Sequence, residues 1–231
     1  MLKVAIFLFP DVETLDFCGP LEVFSAANLA CAAPLFEVYT FAAATVPLRS
    51  INGLSVNPDY NFVTVPEPDI LVLPGGSGSR RVVEDNAALA ALERLYAGSS
   101  HTFSVCSGAR IPAVLGWLDG KQFTTHHSVF GDVKKLAPSA IACPDRRYVD
   151  NGKFLSSAGV AAGIDLSLYL LEKTAGSGHR RKNRQIYGVS TAVLTRSATA
   201  FALGLPPSLM LCSGACLPEQ RAGGNSSCLN V

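Results

Sequence analysis

Apolar residues in this chain fall into short unbroken runs, separated by stretches in which they recur every three or four positions. LKVAIFLF near the start is continuous, the pattern of a strand covered on both faces. FEVYTFAA, Asp69–Leu73 (DILVL) and HTFSV read as further strands, and FTTH as a fifth short one. Arg146 to Ser156 reads as a hairpin about Asp150-Asn151-Gly152, a strong turn signal. Between the strands, helical spacing is predicted from Gly19-Pro20 through LEVFSAANLA, over Val82 to Tyr96, from Ser107 to about Leu115, and through GVAAGIDLSLYLLEK. Strands alternating with helices predict an α/β sandwich with a mostly parallel central sheet.

This rhythm holds for residues 1–175 and then stops. Residues 176–231 carry six basic residues (Arg180, Arg181, Lys182, Arg184, Arg196 and Arg221) and one acid, Glu219, against 13 basic and 17 acidic before them. They also hold three of the seven cysteines and show no sustained period. They read as an irregular tail. A one-nucleotide shift in codons for the segment starting at His179 turns it into a charge-balanced, helix-like peptide. The tail is therefore a candidate frameshift product, which the coding DNA around that codon decides.

The chain has 231 residues, 48% hydrophobic and 16% charged, enough for one large globular domain. A net charge of +1 makes no case for nucleic acid or an anionic membrane. The first apolar run is short and followed by Pro and acids, so it reads as a strand, not a signal peptide. The longest apolar stretch, Ala192 to Leu211, is interrupted by Arg196 and Pro206-Pro207, so no bilayer span is expected. The cysteines match neither a disulfide framework nor a zinc site; reduced thiols, a cytoplasmic location and no metal or cofactor are expected.

Four segments carry candidate chemistry. In FSVCSGA, an apolar strand ends on Cys106, and the small residues Ser107, Gly108 and Ala109 follow, the pattern of a nucleophile elbow. A cysteine at a helix N-terminus is expected to favour its thiolate; the plain alternative is a buried structural cysteine. Pro74-Gly75-Gly76-Ser77-Gly78 follows a strand without the Lys-Ser/Thr pair of a phosphate loop, so it reads as a backbone oxyanion hole or a bare turn. Asp16, just past the first strand among apolar residues, is either an acid/base group of raised pKa or a helix cap. Thr124-Thr125-His126-His127 sits at a strand end, where either imidazole could assist Cys106 or serve only structure.

Together FPDVETLDFCGPLEVF, DILVLPGGSGSRR, SVCSGA, LDGKQFTTHH and SSAGVAAGIDLSLYL resemble the ThiJ/PfpI superfamily over about residues 1–175. The resemblance implies a flavodoxin-like three-layer sandwich, a homodimer, and a reactive cysteine at the elbow. Asp16, where much of the superfamily has Glu, and Ser107 after the cysteine are similar to the isocyanide hydratase subgroup, which usually has Trp where this chain has His127. That subgroup implies a cysteine-dependent hydro-lyase converting an isocyanide to an N-substituted formamide. In that scheme Cys106 is the nucleophile, Asp16 the acid/base and Ser107 a helper. Gly75, Gly76, His126 and His127 would lie around the substrate. Rival expectations are a glyoxalase-III or deglycase activity on reactive aldehydes, a redox sensor, and the sensory half of an AraC-like regulator.

Overall fold

The structure is a computed structural model that describes residues 1–29 and 33–175. Cys31 and the tail, with its suspected frameshift, lie outside the described residues.

Seven strands form the central sheet: β1 (Leu2–Phe7), β2 (Phe36–Ala42), β3 (Tyr60–Asn61), β4 (Ile70–Leu73), β5 (His101–Val105), β6 (Tyr148–Asp150) and β7 (Phe154–Ser157). Their order is β6-β7-β5-β4-β1-β2-β3, and every pairing is parallel except β6 with β7. The unbroken apolar runs are the central strands: Val4, Ala5, Ile6, Ile70, Leu71, Val72 and Leu73 are at most 1% exposed. Helices cover both faces, so both sides of these central strands favour apolar residues. The predicted hairpin is β6–β7, and its turn needs Gly152 at φ 86.

The helices are α1 (Thr14–Leu29), α2 (Ser79–Val82), α3 (Asn86–Gly98), α4 (Arg110–Val114), α5 (Phe130–Leu136) and α6 (Ala161–Ala175). Helices α1 and α6 pack closely where Gly19 meets Ile164; a Cβ there would lie 2.8 Å from the Ile164 side chain.

Four predicted boundaries are corrected. Helix α1 starts at Thr14, not after Gly19-Pro20, so Asp16 lies in its first turn and Pro20 inside it. Pro20 has no N–H for the Asp16 carbonyl, a loss tolerated this near a helix start. The single helix expected over Val82 to Tyr96 is two, because the Asp85 carboxylate caps α3 by accepting from the Ala87 and Ala88 amides. Residues Cys106–Ala109 form a tight 3₁₀ turn before α4, where one helix from Ser107 was expected. Of the FTTH segment only Phe123 is in a strand; Gln122–Phe123 pairs with Ile141–Ala142 outside the main sheet.

Candidate active site

The carboxyl ends of β1, β4 and β5 are adjacent in the sheet, and the loops leaving them converge. Strand β5 delivers Cys106 out of an extended Val105 into a left-handed backbone, φ 56. For a residue with a Cβ this conformation costs about 1–2 kcal/mol. Two hydrogen bonds hold it: the Cys106 N–H donates to Ala158 O at 3.0 Å, and Thr125 Oγ1 donates to Cys106 O at 2.6 Å. The expected elbow is present, clamped on both sides by neighbouring segments.

Asp16 is fully buried. Its Oδ2 accepts the Gly75 N–H at 3.0 Å, while Oδ1 has no hydrogen-bond partner of normal geometry. The carboxyl faces the Cys106 thiol, and each group perturbs the other's titration. Burial, offset by the Gly75 amide, helped by the Glu13 charge and opposed by the thiol, leaves Asp16 pushed up to about 7. The expectation of a raised acid agrees with this.

The expected thiolate does not. Burial, then the Asp16 charge, push the Cys106 thiol up to about 12, against N–H groups of Ser107 and Val160 that favour the anion. A four-residue 3₁₀ turn supplies too little positive field to offset desolvation of the sulfur. The pair is thus a thiol beside a carboxyl whose titration is shifted towards neutral pH.

The glycine loop is also engaged differently from the open oxyanion hole expected of it. The Gly75 N–H holds Asp16, and the Gly76 N–H donates to Ser107 Oγ at 2.8 Å. Ser107 Oγ in turn donates to Gly76 O at 3.2 Å. Backbone amides do approach the sulfur, but they belong to Ser107 and Val160. Glycine is required at 75 by proximity: a Cβ there would lie 2.7 Å from Asp16 Oδ2, Ser107 N and Ser107 Oγ alike. Gly75→Ala is therefore expected to cost about 1–3 kcal/mol of overpacking, read as a lower urea midpoint.

The two histidines part ways. His126 is half-buried, and its Nδ1 pairs with Ser128 Oγ at 2.9 Å. His127 is exposed, its ring 4.1 Å from that of His126. Neither hydrogen-bonds to Cys106 or Asp16. Burial, and then His127, push His126 below the usual imidazole range, which keeps it uncharged at neutral pH. His126 also lies against Gly159, next to the Val160 that serves the sulfur.

Sequence reasoning missed Val160 and Thr125 as parts of the site. The available signal was position: the Gly159-Val160 junction follows β7, the parallel neighbour of β5, and opens α6. Cys18 and Cys143 are half-buried and free. Among the described residues no three His, Cys, Asp or Glu side chains are arranged to hold a metal ion, and no helix is long and apolar enough to cross a membrane.

Comparison with known proteins places this geometry in context. The family model described as the DJ-1/PfpI family matches residues 2–173. The chain is 31% identical over 176 residues to an isonitrile hydratase of Pseudomonas putida, covering 76% of this chain and 73% of that one. It is 30% identical over 158 residues to a deglycase of Thermococcus kodakarensis, covering 68% of this chain and 89% of that one. A crystal structure of a ThiJ/PfpI family protein from Pseudomonas syringae aligns with a TM-score of 0.73 at 25% identity, over 82% of this chain and 75% of that one.

Proposed function

Since the chain belongs to the DJ-1/PfpI family, we propose that it is a cysteine-dependent isocyanide hydratase releasing an N-substituted formamide. The observation that carries this reading is the buried Asp16 carboxyl against the Cys106 thiol, with neither group hydrogen-bonded to an imidazole, lysine or arginine among the described residues. A neutral, slender substrate suits so buried a site. An isocyanide also needs what this pair offers: a nucleophile for its terminal carbon and one proton for that carbon.

The steps balance. Asp16 carboxylate takes the Sγ proton as sulfur bonds to the isocyanide carbon, then delivers that proton to the same carbon. The product is a thioimidate, S–CH=N–R. Asp16, again a carboxylate, takes a proton from water as the oxygen adds to that carbon, and passes it to nitrogen. It then takes the hydroxyl proton as the carbonyl forms and the C–S bond breaks, and returns that proton to sulfur as the formamide leaves. The Ser107 and Val160 amides hold the sulfur and stabilise charge developing on it.

The relative from Thermococcus kodakarensis favours a second reading, a deglycase-type activity on reactive aldehydes through the same sulfur. The two enzymatic readings separate in one experiment: wild-type protein with an alkyl isocyanide or with methylglyoxal, products followed by mass spectrometry. Formamide accumulating at least about 10²-fold above the uncatalysed rate is expected. Consumption of methylglyoxal alone sinks the hydratase. The homodimer expected from the resemblance is retained as part of the proposal.

A further inference from the structure

Arg110 is a cation in an apolar helix, and only 4% of it is exposed. Burying a guanidinium is costly unless each face finds a partner. On one side Nε and Nη2 donate to Asp132 Oδ2 at 3.1 and 2.6 Å. Asp132 is partly exposed, and its own carboxyl is held below the usual range, first by that hydrogen bond from Arg110. On the other side Nη1 donates to Ser79 Oγ at 2.9 Å. Ser79, fully buried, donates to Gly76 O at 2.7 Å, and Gly76 donates to Ser107 Oγ at 2.8 Å. One chain of donors thus runs from a surface carboxylate, through a buried cation, to the residue whose amide serves the sulfur.

We infer that Arg110 and Ser79 are positioning residues that set the Gly76 peptide, and through it Ser107, against Cys106. The inference rests on Cys106 being the nucleophile. Gly76 has no side chain and sits at φ 122, so contacts from outside the residue must hold its backbone, among them the bridge to Val12 and the Ser79 N–H on its carbonyl at 3.2 Å. Its carbonyl is held by Ser79 Oγ, whose lone pairs are oriented by Arg110; each donor polarises the next. That carbonyl also accepts from Ser107 Oγ at 3.2 Å, and the Gly76 N–H, in the preceding peptide plane, donates to the same oxygen at 2.8 Å, so the Ser107 hydroxyl is held from both sides. Asp132 serves to keep the buried cation paired.

The test uses Arg110→Met, Arg110→Lys, Ser79→Ala, the Met/Ala double variant, and Leu92→Ala, a buried core change on α3, as a stability control. Arg110→Met and Ser79→Ala are each expected to lower kcat for isocyanide by about 10- to 100-fold, as loss of a fixed geometry does, with little change in KM. Arg110→Lys recovers part of the rate. The double variant is no worse than the poorer single, because both act on one chain. Leu92→Ala loses stability but keeps its kcat. The amide proton shifts of Gly76 and Ser107, read by NMR without substrate, move in both single variants. If Arg110→Met loses stability yet keeps kcat and both amide shifts, the role is structural only and the inference falls. Should it fail to fold, Ser79→Ala decides by the same readouts. A wild-type protein inactive on isocyanide sinks the hydratase, while the amide shifts still decide the network.

Discussion

Replacing Cys106 by alanine is expected to abolish isocyanide turnover, with a loss of at least about 10⁴-fold, as when a covalent nucleophile is removed. The sulfur has no substitute nearby: Cys18 and Cys143 are the other free thiols among the described residues, and neither shares the elbow. A rapid quench of wild-type protein should trap an adduct on Cys106 heavier by one substrate, and the variant should show none. The change also acts on the partner. The thiol pulls Asp16 down, so in the variant the carboxyl should titrate above about 7, observable by NMR of the side-chain carbon. The fold should survive, because the elbow is held by backbone and Thr125 contacts that alanine keeps. Turnover equal to wild type in Cys106→Ala leaves the mechanism without a nucleophile.

The second large effect has opposite signs for activity and stability. Asp16→Asn should slow turnover by about 10²- to 10⁴-fold, the usual value of one acid–base group. The rise of kcat/KM with pH should go with it. Wild-type activity climbs through about pH 7 as Asp16 ionises and becomes able to accept the thiol proton, whereas the variant has no such limb. Stability moves the other way. The folded pKa of Asp16 is raised above its ordinary 3.8, so the folded state holds this proton more tightly than the unfolded chain does. The resulting stability is fully present below about pH 4 and is lost as pH rises through about 7. Above that, the protein keeps a buried carboxylate that asparagine does not impose. Urea denaturation at pH 5 and pH 8 should show the variant gaining on wild type at the higher pH, by about 2–3 kcal/mol, since roughly two units of the shift lie above pH 5 at 1.36 kcal/mol each. A variant less stable at pH 8 by the same margin would mean that the carboxylate is a structural ion and not a strained catalytic one. Function tolerated at a cost in stability is what an active-site acid predicts.

The outline of the site was legible in the chain, and the reasons are local. A strand ending in cysteine before Ser-Gly-Ala demands a sharp turn, and that turn is present at φ 56. A carboxyl between apolar neighbours beside β1 was open to two readings, a raised acid or a helix cap, and it is buried with its acid pushed up. The state of the sulfur was not legible. Helix proximity argues for a thiolate, but desolvation depends on how much protein closes over the atom, which no neighbouring residue in sequence reports. Likewise the glycine loop was recognised, yet its amides turned out to serve Asp16 and Ser107, residues 59 and 31 positions away.

By its own pattern, the sequence determined the alternation of strands and helices, the parallel sheet, and which segments leave the sheet at its functional edge. Those follow from periodicity and from turn chemistry, which act over a few residues. Tertiary structure alone decided the rest: that Val160 and Thr125 reach Cys106, that Arg110 is buried and joined to the glycine loop, that His126 and His127 stand aside, and that acid and thiol both sit above their ordinary pKa. Each of these is set by distances across segments far apart in the chain, and by the exclusion of water, which only the assembled layers create.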